Sequence, residues 1–498
     1  MAEADTAAID RGLSVEILME RAGRAVARHT LEVLGARYGR RALVVCGKGN
    51  NGGDGFAAAR ALVREGVRAT CLLVTDEDTV EGAARSHLER ARRAGITIRP
   101  FEASLLERAD VFVDAMFGTG FRGAPSGLPA EAIVALNRTG VPIVAVDIPS
   151  GVDGATGRVE GECVRATATV AMASEKLGTA LPPGTLSAGH VVIADIGIPV
   201  PPSRAGRLDP GDVSRVLPRR PIDSHKRSAG SVALMGGSAG MSGAIVLAAR
   251  GAVRMGAGYA TVGTIRAVTD IVARSLPEVL WRPLVDDDAL IPDALDGFRS
   301  VLSRADALAI GPGLGAESPQ RDLVARVLAE SDIPICLDAD GLNALAGDAE
   351  ALEGRRAPTV LTPHPGELAR LMGRDTKEIL GDRLAAVRAA AERFQCVVLL
   401  KGFRTLIARP DGFVGVNPTG SSSLASAGTG DVLTGAVTAL LAAGKDPFEA
   451  AFAAAFVHGL AGDLAEARVG AGVQAWDVAE ALSKVILELR DHVGPSWS

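Results

Sequence analysis

The sequence predicts two α/β units in tandem, each a largely parallel sheet clad with helices. Three observations carry the prediction. At 498 residues the chain is too long for one compact core, so two domains are the default. Short β-branched runs alternate with helical patterns through both halves, as strands joined by crossover helices require. Between the halves, IGIPVPPSRAGRLDPGDVSRVLPRRP (196–221) carries six prolines, a density that resists continuous helix or central strand. The division is placed there, giving domains 1–207 and 208–498.

Composition bounds the function. Apolar residues at 47% and charged residues at 22% describe an ordinary globular protein. A net charge of −6 with interspersed signs, two Tyr and three Trp argue against a nucleic-acid partner. The five cysteines (Cys46, Cys71, Cys163, Cys336, Cys396) show no CxxC and read as reduced thiols. MAEADTAAIDRGLS lacks the basic start and apolar core of a signal peptide. The longest apolar helix expected, VLTGAVTALLAAG (432–444), is too short to cross a bilayer. The expectation is a cytoplasmic protein with no membrane partner.

In the first half, RALVVC (41–46), ATCLLV (69–74), ADVFVDA (109–115) and VPIVAVD (141–147) read as strands, and FAAARALVREG (56–66) as a helix. Ligands of such sheets bind at the carboxyl ends of strands. Those ends are GKGNNGGDG (47–55), DAMFGTGFRG (114–123) and DIPSG (147–151). The glycine spacing at Gly47, Gly49 and Gly52 is a weak dinucleotide signal. A plain strand-to-helix turn, with Asn51 and Gly52 at positive φ, accounts for the glycines. It does not account for Asn50, Asn51 and Asp54 on one turn. Amide, carboxylate and hydroxyl oxygens suit a hard cation, and Asn51, Asp114 and Ser150 each follow a strand end. Asp147 either handles a proton or braces the IPSG turn.

NNGGDG, VDAMFGTGFRG and AVDIPSGVDG, with LMERAG (18–23) before them and DIGIP (195–199) after, resemble the NAD(P)H-hydrate epimerase family over roughly residues 10–205. Lys48 stands where that family more often has proline. The resemblance implies a Rossmann-like doubly wound sheet and a potassium ion held by Asn51, Asp114 and Ser150. It implies that Asn50, Asn51, Gly52, Gly53 and Asp54, then Gly118, Thr119, Gly120, Phe121, Arg122, Gly123 and Ala124, and also Asp147, contact the hydrated dinucleotide. Asp147 is the candidate acid–base residue for exchange of the R and S forms at C6.

The second half repeats the alternation. GSVALMGGS (230–238) runs into GAIVLAARGAVRMGAG (243–258), followed by ADALAIGPGLG (305–315), PICLDADGLNAL (334–345), TVLTPHPGEL (359–368) and CVVLLKG (396–402). TLIARPDGFVGVN (405–417) reads as a hairpin around PDG, which makes the sheet mixed. In AGTGDVLTG (427–435), Gly428 and Gly430 permit close approach, and the helix start favours an anion. Asp431 there is either ordinary first-turn capping or a base facing a phosphate nest. No GxxxxGK[ST] loop is present. His364 between prolines is a turn residue unless it joins a site, and no zinc-ligand spacing accompanies it. Lys401 ends a strand, where a lysine reaches solvent or meets phosphate.

GMSGA (240–244), RMGAGYATV (254–262), IGPGLG (310–315), LDADGLNAL (337–345), TPHPGE (362–367), LLKG (399–402) and AGTGDVLTG together resemble the ADP/ATP-dependent NAD(P)H-hydrate dehydratase family over about residues 215–490. SHKRSAG (224–230) matches the start of that domain. The resemblance implies a ribokinase-like α/β fold, with Lys401, Gly402, Phe403, Arg404, Thr405 and Gly430 on the adenine nucleotide. Ala244, Gly313, His364 and Asp431 would contact the hydrate, with Asp431 as the base and Mg²⁺ arriving with ADP or ATP. ADP is expected because the AGTGD context looks bacterial. The whole chain is thus similar to the bifunctional NAD(P)H-hydrate repair enzymes, acting on NADH and NADPH hydrates (NADHX, NADPHX), and a homo-oligomer is expected. A small-molecule kinase would explain AGTGD but neither TPHPGE with GPGLG nor the first half. A first domain retained only as a binding module is disfavoured by the intact Asn51, Asp114, Asp147 and Ser150.

Overall fold

The computed structural model describes residues 13–492 apart from 201, 220–222, 224–226, 228 and 348. Most of MAEADTAAIDRGLS and of SHKRSAG lies outside the described residues. The chain forms two compact units, Met1–Pro202 and Ser203–Ser498.

In the first unit, β1 (Arg41–Cys46), β2 (Arg68–Leu73), β3 (Thr97–Pro100), β4 (Val111–Ala115), β5 (Ile143–Val146), β6 (Ala168–Met172) and β7 (His190–Ala194) form one parallel sheet of order β3-β2-β1-β4-β5-β6-β7. Strand order reverses between β1 and β4, so the loops after them flank a switch-point crevice. Register brings Cys46 beside Ala115 and Asp114 beside Ala145, so the three glycine-bearing loops share one rim as expected. Alternate residues of β1 feed opposite cores. Val44 and Cys46 pack with Phe56 and Leu62, while Leu43 and Val45 pack with Phe112 and Ile133.

The loop after β1 corrects one expectation. Helix begins at Asn50 (Asn50–Arg64), with Gly49 capping it at φ −91°, and neither Asn51 nor Gly52 has positive φ. Gly52 is needed for space instead. A Cβ there would lie 2.0 Å from the Gly47 carbonyl oxygen, and one on Gly53 would lie 2.6 Å from Met19 Sδ.

In the second unit the described strands are β8 (Ala205–Arg207), β9 (Ser231–Met235), β10 (Tyr259–Ile265), β11 (Leu280–Val285), β12 (Ala307–Ile310), β13 (Ile335–Leu337), β14 (Thr359–Leu361), β15 (Val397–Leu400), β16 (Leu406–Ala408) and β17 (Val414–Val416). Their order is β11-β10-β9-β12-β13-β14-β15-β16-β17-β8. β16 pairs antiparallel with β15 and β17, which makes the sheet mixed, and Arg409 N bonds Phe413 O across the PDG turn. The units part between Pro202 and Ser203, before the expected 207/208 boundary. The reason is β8, whose Ala205–Arg207 pairs with Val414–Val416 of the second sheet.

A second correction concerns the longest apolar helix, expected at 432–444. The longer apolar helix is Pro447–Val469, and the segment Pro447–Gly472 is long and apolar enough to cross a membrane. Most of its apolar window, 78%, is buried inside the unit, which makes it a core helix here. All five cysteines are unpaired.

Candidate active sites

A cavity of about 630 Å³ opens at the carboxyl ends of β1, β4, β5 and β6, under the helix Val15–Leu34. Of the predicted residues, Asn50, Asn51, Asp54, Gly118, Thr119, Gly120, Phe121 and Asp147 line it. Gly52 and Gly53 do not; they serve the close packing described above. Arg122, Gly123 and Ala124 are not in its wall either. The Arg122 guanidinium turns back on the carbonyls of Thr119 (2.8 Å) and Phe121 (2.6 Å) and pairs with Asp153 at 3.2 Å. Phe121 stacks on Phe117 with centroids 4.5 Å apart, which gives the wall an aromatic face.

Asp114 and Ser150 are buried and do not line the cavity. Asp114 Oδ1 accepts from Ser150 Oγ (2.6 Å) and Met116 N (3.3 Å), and its Oδ2 accepts from Ser150 N (2.8 Å). Asp114 therefore braces the IPSG turn, the structural alternative that had been open for Asp147. Burial pushes the Asp114 carboxyl up to about 6, against the pull of the Ser150 and Met116 hydrogen bonds. Asn51 Nδ2 donates to Val146 O at 2.8 Å, while its Oδ1 is buried with no hydrogen-bond partner. Ser150 Oγ also accepts from Phe117 N at 2.9 Å. An orphaned amide oxygen, a buried carboxylate without a cationic partner among the described residues, and a hydroxyl make a donor set that fits a hard alkali cation.

Asp147 stands at φ 68°, a conformation that non-glycine residues seldom adopt. Its Oδ1 accepts from Met172 N (3.0 Å) and forms a short ion pair with Lys176, whose Nζ also donates to Met172 O at 2.7 Å. Lys176 is buried and lines the cavity. No pattern around ASEKLG singled it out, because its role arises only where β6 ends beside β5. Lys48, Phe117 and Met172 are further wall residues that the motifs passed over.

In the second unit, Gly428 at φ 89° precedes the helix Thr429–Ala442 and provides no side-chain cap. Asp431 lies in its first turn. Burial, then the charge of Asp338, pushes the Asp431 carboxyl up to about 7, against the pull of Lys401. Asp338 is buried at the end of β13, where Oδ1 meets Lys401 Nζ at 2.7 Å and Oδ2 accepts from Thr434 Oγ1 at 2.5 Å. Burial works against the Lys401 ammonium, but Asp338 and Glu367, the latter 3.7 Å away, outweigh it and keep the lysine charged. Asp338 and Glu367 lie inside the quoted motifs, yet neither was singled out as a site residue.

The other predicted residues converge on this cluster to different degrees. A Cβ on Gly430 would lie 3.5 Å from Lys401 Nζ. Gly313 (φ 63°) lets the IGPGLG loop pack on Met241 and Ala244, since a Cβ there would be 2.6 Å from Met241 O and 3.3 Å from Ala244 Cβ. His364 is a helix cap. Its Nδ1 accepts from Gly366 N (3.0 Å) and Glu367 N (3.4 Å), and Glu367 Oε2 accepts from His364 N at 2.7 Å. Burial lowers the His364 pKa, so its ring is neutral near pH 7 and half its side chain faces solvent.

In the loop from Lys401 to Thr405, Gly402 takes φ 139° and Arg404 φ 56°. Arg404 bonds the Pro418 carbonyl, and Thr405 Oγ1 donates to Gly402 O at 3.0 Å. Arg383 supports the loop from behind with a 2.6 Å bond to Phe403 O. Phe403 remains exposed at the tip. Beneath the glycine turn, His458 Nε2 donates to Thr429 O at 2.9 Å; burial pushes that histidine down to about 4, so it is a neutral support.

Fold and sites define a class: a two-unit α/β protein with a glycine-rich polar rim at the strand ends of one unit and, in the other, a glycine-led helix start whose first turn carries a carboxyl raised by burial. Residues 15–178 match the family model described as YjeF-related protein N-terminus, and residues 232–484 match that described as NAD(P)H-hydrate dehydratase. The bifunctional NAD(P)H-hydrate repair enzyme Nnr of Moorella thermoacetica is 42% identical over 494 residues, covering 96% of this chain and 93% of that one. The chain belongs to the family of bifunctional NAD(P)H-hydrate repair enzymes. Among solved structures, the ADP/ATP-dependent NAD(P)H-hydrate dehydratase from Bacillus subtilis, co-crystallised with ATP and Mg²⁺, is 34% identical with a TM-score of 0.50, over 56% of this chain and 97% of that one. A ribokinase-like superfamily protein from Enterococcus faecalis is 25% identical with a TM-score of 0.51, over 58% of this chain and 98% of that one.

Proposed function

We propose that the first unit interconverts the R and S forms of NADH and NADPH hydrate, and that the second dehydrates the S form with consumption of ADP, giving AMP and phosphate. The observation that carries the reading is the pairing of two unlike sites in one chain. One has an orphaned Asn51 oxygen and the hydrogen-bonded pair Asp114 and Ser150; the other has Asp431 raised to about 7 at a glycine-rich helix start.

In the first unit, Asn51, Asp114 and Ser150 would hold potassium, which supplies a fixed positive charge close to the dinucleotide. Asn50, Asp54, the Gly118–Phe121 stretch and the stacked Phe117 would seat the hydrate. Asp147, fixed by Met172 N and Lys176, accepts or returns the proton that moves as the C6 configuration exchanges.

In the second unit, Ala244, Gly313 and His364 would border the hydrate, and the Lys401–Thr405 loop with Gly430 the nucleotide. Asp431 takes the proton of the C6 hydroxyl as its oxygen attacks the terminal phosphoryl of ADP, and AMP leaves. Phosphate then departs from C6 with the C6–O electrons, a proton leaves C5 to the departing phosphate or to solvent, and the C5–H electrons restore the ring double bond. The first-turn N–H groups of Gly430 and Asp431 would face the charge that develops on the transferred group, the Thr429 N–H being bonded to Ser426 O. ADP is the proposed donor, and Mg²⁺ would accompany it.

The test is incubation of mixed-epimer NADH hydrate with ADP, with ATP and with neither, following the absorbance of reduced nicotinamide. Recovery that needs nucleotide and consumes both epimers faster than spontaneous exchange is expected. Recovery that stops at the S form would remove the epimerase assignment; none with either nucleotide would remove the dehydratase.

A further inference from the structure

We propose that an arginine-lined cleft on the first unit, separate from the dinucleotide cavity, binds the phosphate group of a small phosphorylated anion. The cleft, about 450 Å³, shares no lining residue with that cavity. One helix serves both. Leu18, Met19 and Ala22 of Val15–Leu34 face the cavity, whereas Ile17, Glu20 and Arg24 face the cleft.

Arg24, Arg60, Arg64 and Arg90 converge there from the helices Val15–Leu34, Asn50–Arg64 and Gly82–Arg93. Arg60 has a structural occupation. It is buried, 2.8 Å from Glu20 and 3.2 Å from the His87 ring. His87 is held below its usual pKa by burial and by Arg60, so it adds no charge near pH 7. That account ends at Arg60. Arg24 and Arg64 each reach only Glu20, at 3.5 Å, a carboxylate already bonded to Arg60. Arg90 has no carboxylate partner among the described residues. Four guanidinium groups thus face two carboxylates, Glu16 and Glu20, on a chain whose net charge is −6.

Gathering like charges from three helices is unfavourable unless an anion shares them. Planar guanidinium forks match phosphate oxygens in pairs. The exposed side chains of Arg24 and Arg64 leave the donors accessible. The two proposed reactions use none of these residues.

The experiment maps arginine modification by phenylglyoxal on the full-length protein by peptide mass spectrometry, with pyrophosphate, AMP, adenosine or potassium chloride at matched ionic strength. Arg93, on the last turn of Gly82–Arg93 and outside the cleft wall, is the control. Pyrophosphate and AMP should both slow labelling of Arg64 and Arg90 saturably, while adenosine and chloride do not and Arg93 is unchanged. In the Arg64→Ala/Arg90→Ala variant, the pyrophosphate concentration protecting Arg24 should rise about tenfold, as expected for losing charge-assisted donors. Equal labelling of Arg64 and Arg90 in pyrophosphate and chloride would overturn the proposal. Protection by AMP and adenosine but not pyrophosphate would also overturn it, since a base rather than a phosphate would then be recognised.

Discussion

Lys401 places its ammonium 2.7 Å from Asp338 Oδ1, and its ion pairs among the described residues are with Asp338 and Glu367, not with Asp431. The nearest fixed cation is therefore committed to a neighbour, and Asp431 keeps a carboxyl raised to about 7 by burial and by the Asp338 charge. A carboxyl raised this far is a stronger base than an ordinary one and is about half ionised at neutral pH.

A base must be ionised to act, so dehydratase kcat/KM should climb as pH rises through about 7. Asp338→Asn removes the charge that raises Asp431 and releases Lys401 toward it; both effects move the acid limb to lower pH. Asp431→Asn should lower dehydration by about 10²–10⁴-fold while nucleotide binding persists. An unmoved limb in Asp338→Asn would remove Asp338 from its positioning role.

The first unit has a comparable pair in Lys176 and Asp147. Lys176→Met should cost epimer exchange roughly 10²-fold, because it frees the Asp147 carboxylate from its oriented position. Dehydration of pure S hydrate should be unchanged, since the residue belongs to the other unit. A loss of both activities together would indicate damaged folding rather than lost positioning.

How much of this was legible in the sequence follows from what each residue needs. Strands β1, β4 and β5, the three loops at their ends and the 405–417 hairpin follow from apolar runs and turn residues, which are local properties. Asp147 and Asp431 were found because they sit inside glycine-bearing motifs. Lys176, Asp338 and Arg383 were not singled out, because each acquires its partner across a long chain separation: Asp147, Lys401 and the Phe403 carbonyl respectively. β8 was missed for the same reason, as three residues become a strand only against β17. The glycines of NNGGDG were seen but read for conformation, and only packing shows that Gly52 and Gly53 supply space.

That distinction is testable. Gly52→Ala puts a methyl group 2.0 Å from the Gly47 carbonyl oxygen, so backbone must move. Destabilisation of roughly 1–3 kcal/mol is expected, as for overpacking generally, seen as an earlier first-unit melting transition. Unchanged melting with a raised KM for the hydrate would instead return Gly52 to the binding surface.

The cation site gives a prediction whose sign follows from Asp114. Its folded pKa, raised to about 6, exceeds the unfolded value of about 3.9. The stability that the protonated carboxyl contributes is fully present below the unfolded value and is lost as pH rises through about 6. A cation bound to the ionised form offsets that loss. Potassium, compared with tetramethylammonium at equal ionic strength, should therefore raise the melting temperature of the first unit little in acid and increasingly as pH passes about 6. Asp114→Asn should abolish this pH-dependent increment. Asn51→Ala should reduce it, because it removes the orphaned oxygen and leaves the carboxylate in place. Thermal melts of the three proteins across pH in the two salts decide the matter, and a potassium increment that ignores pH or survives Asp114→Asn would place the ion elsewhere.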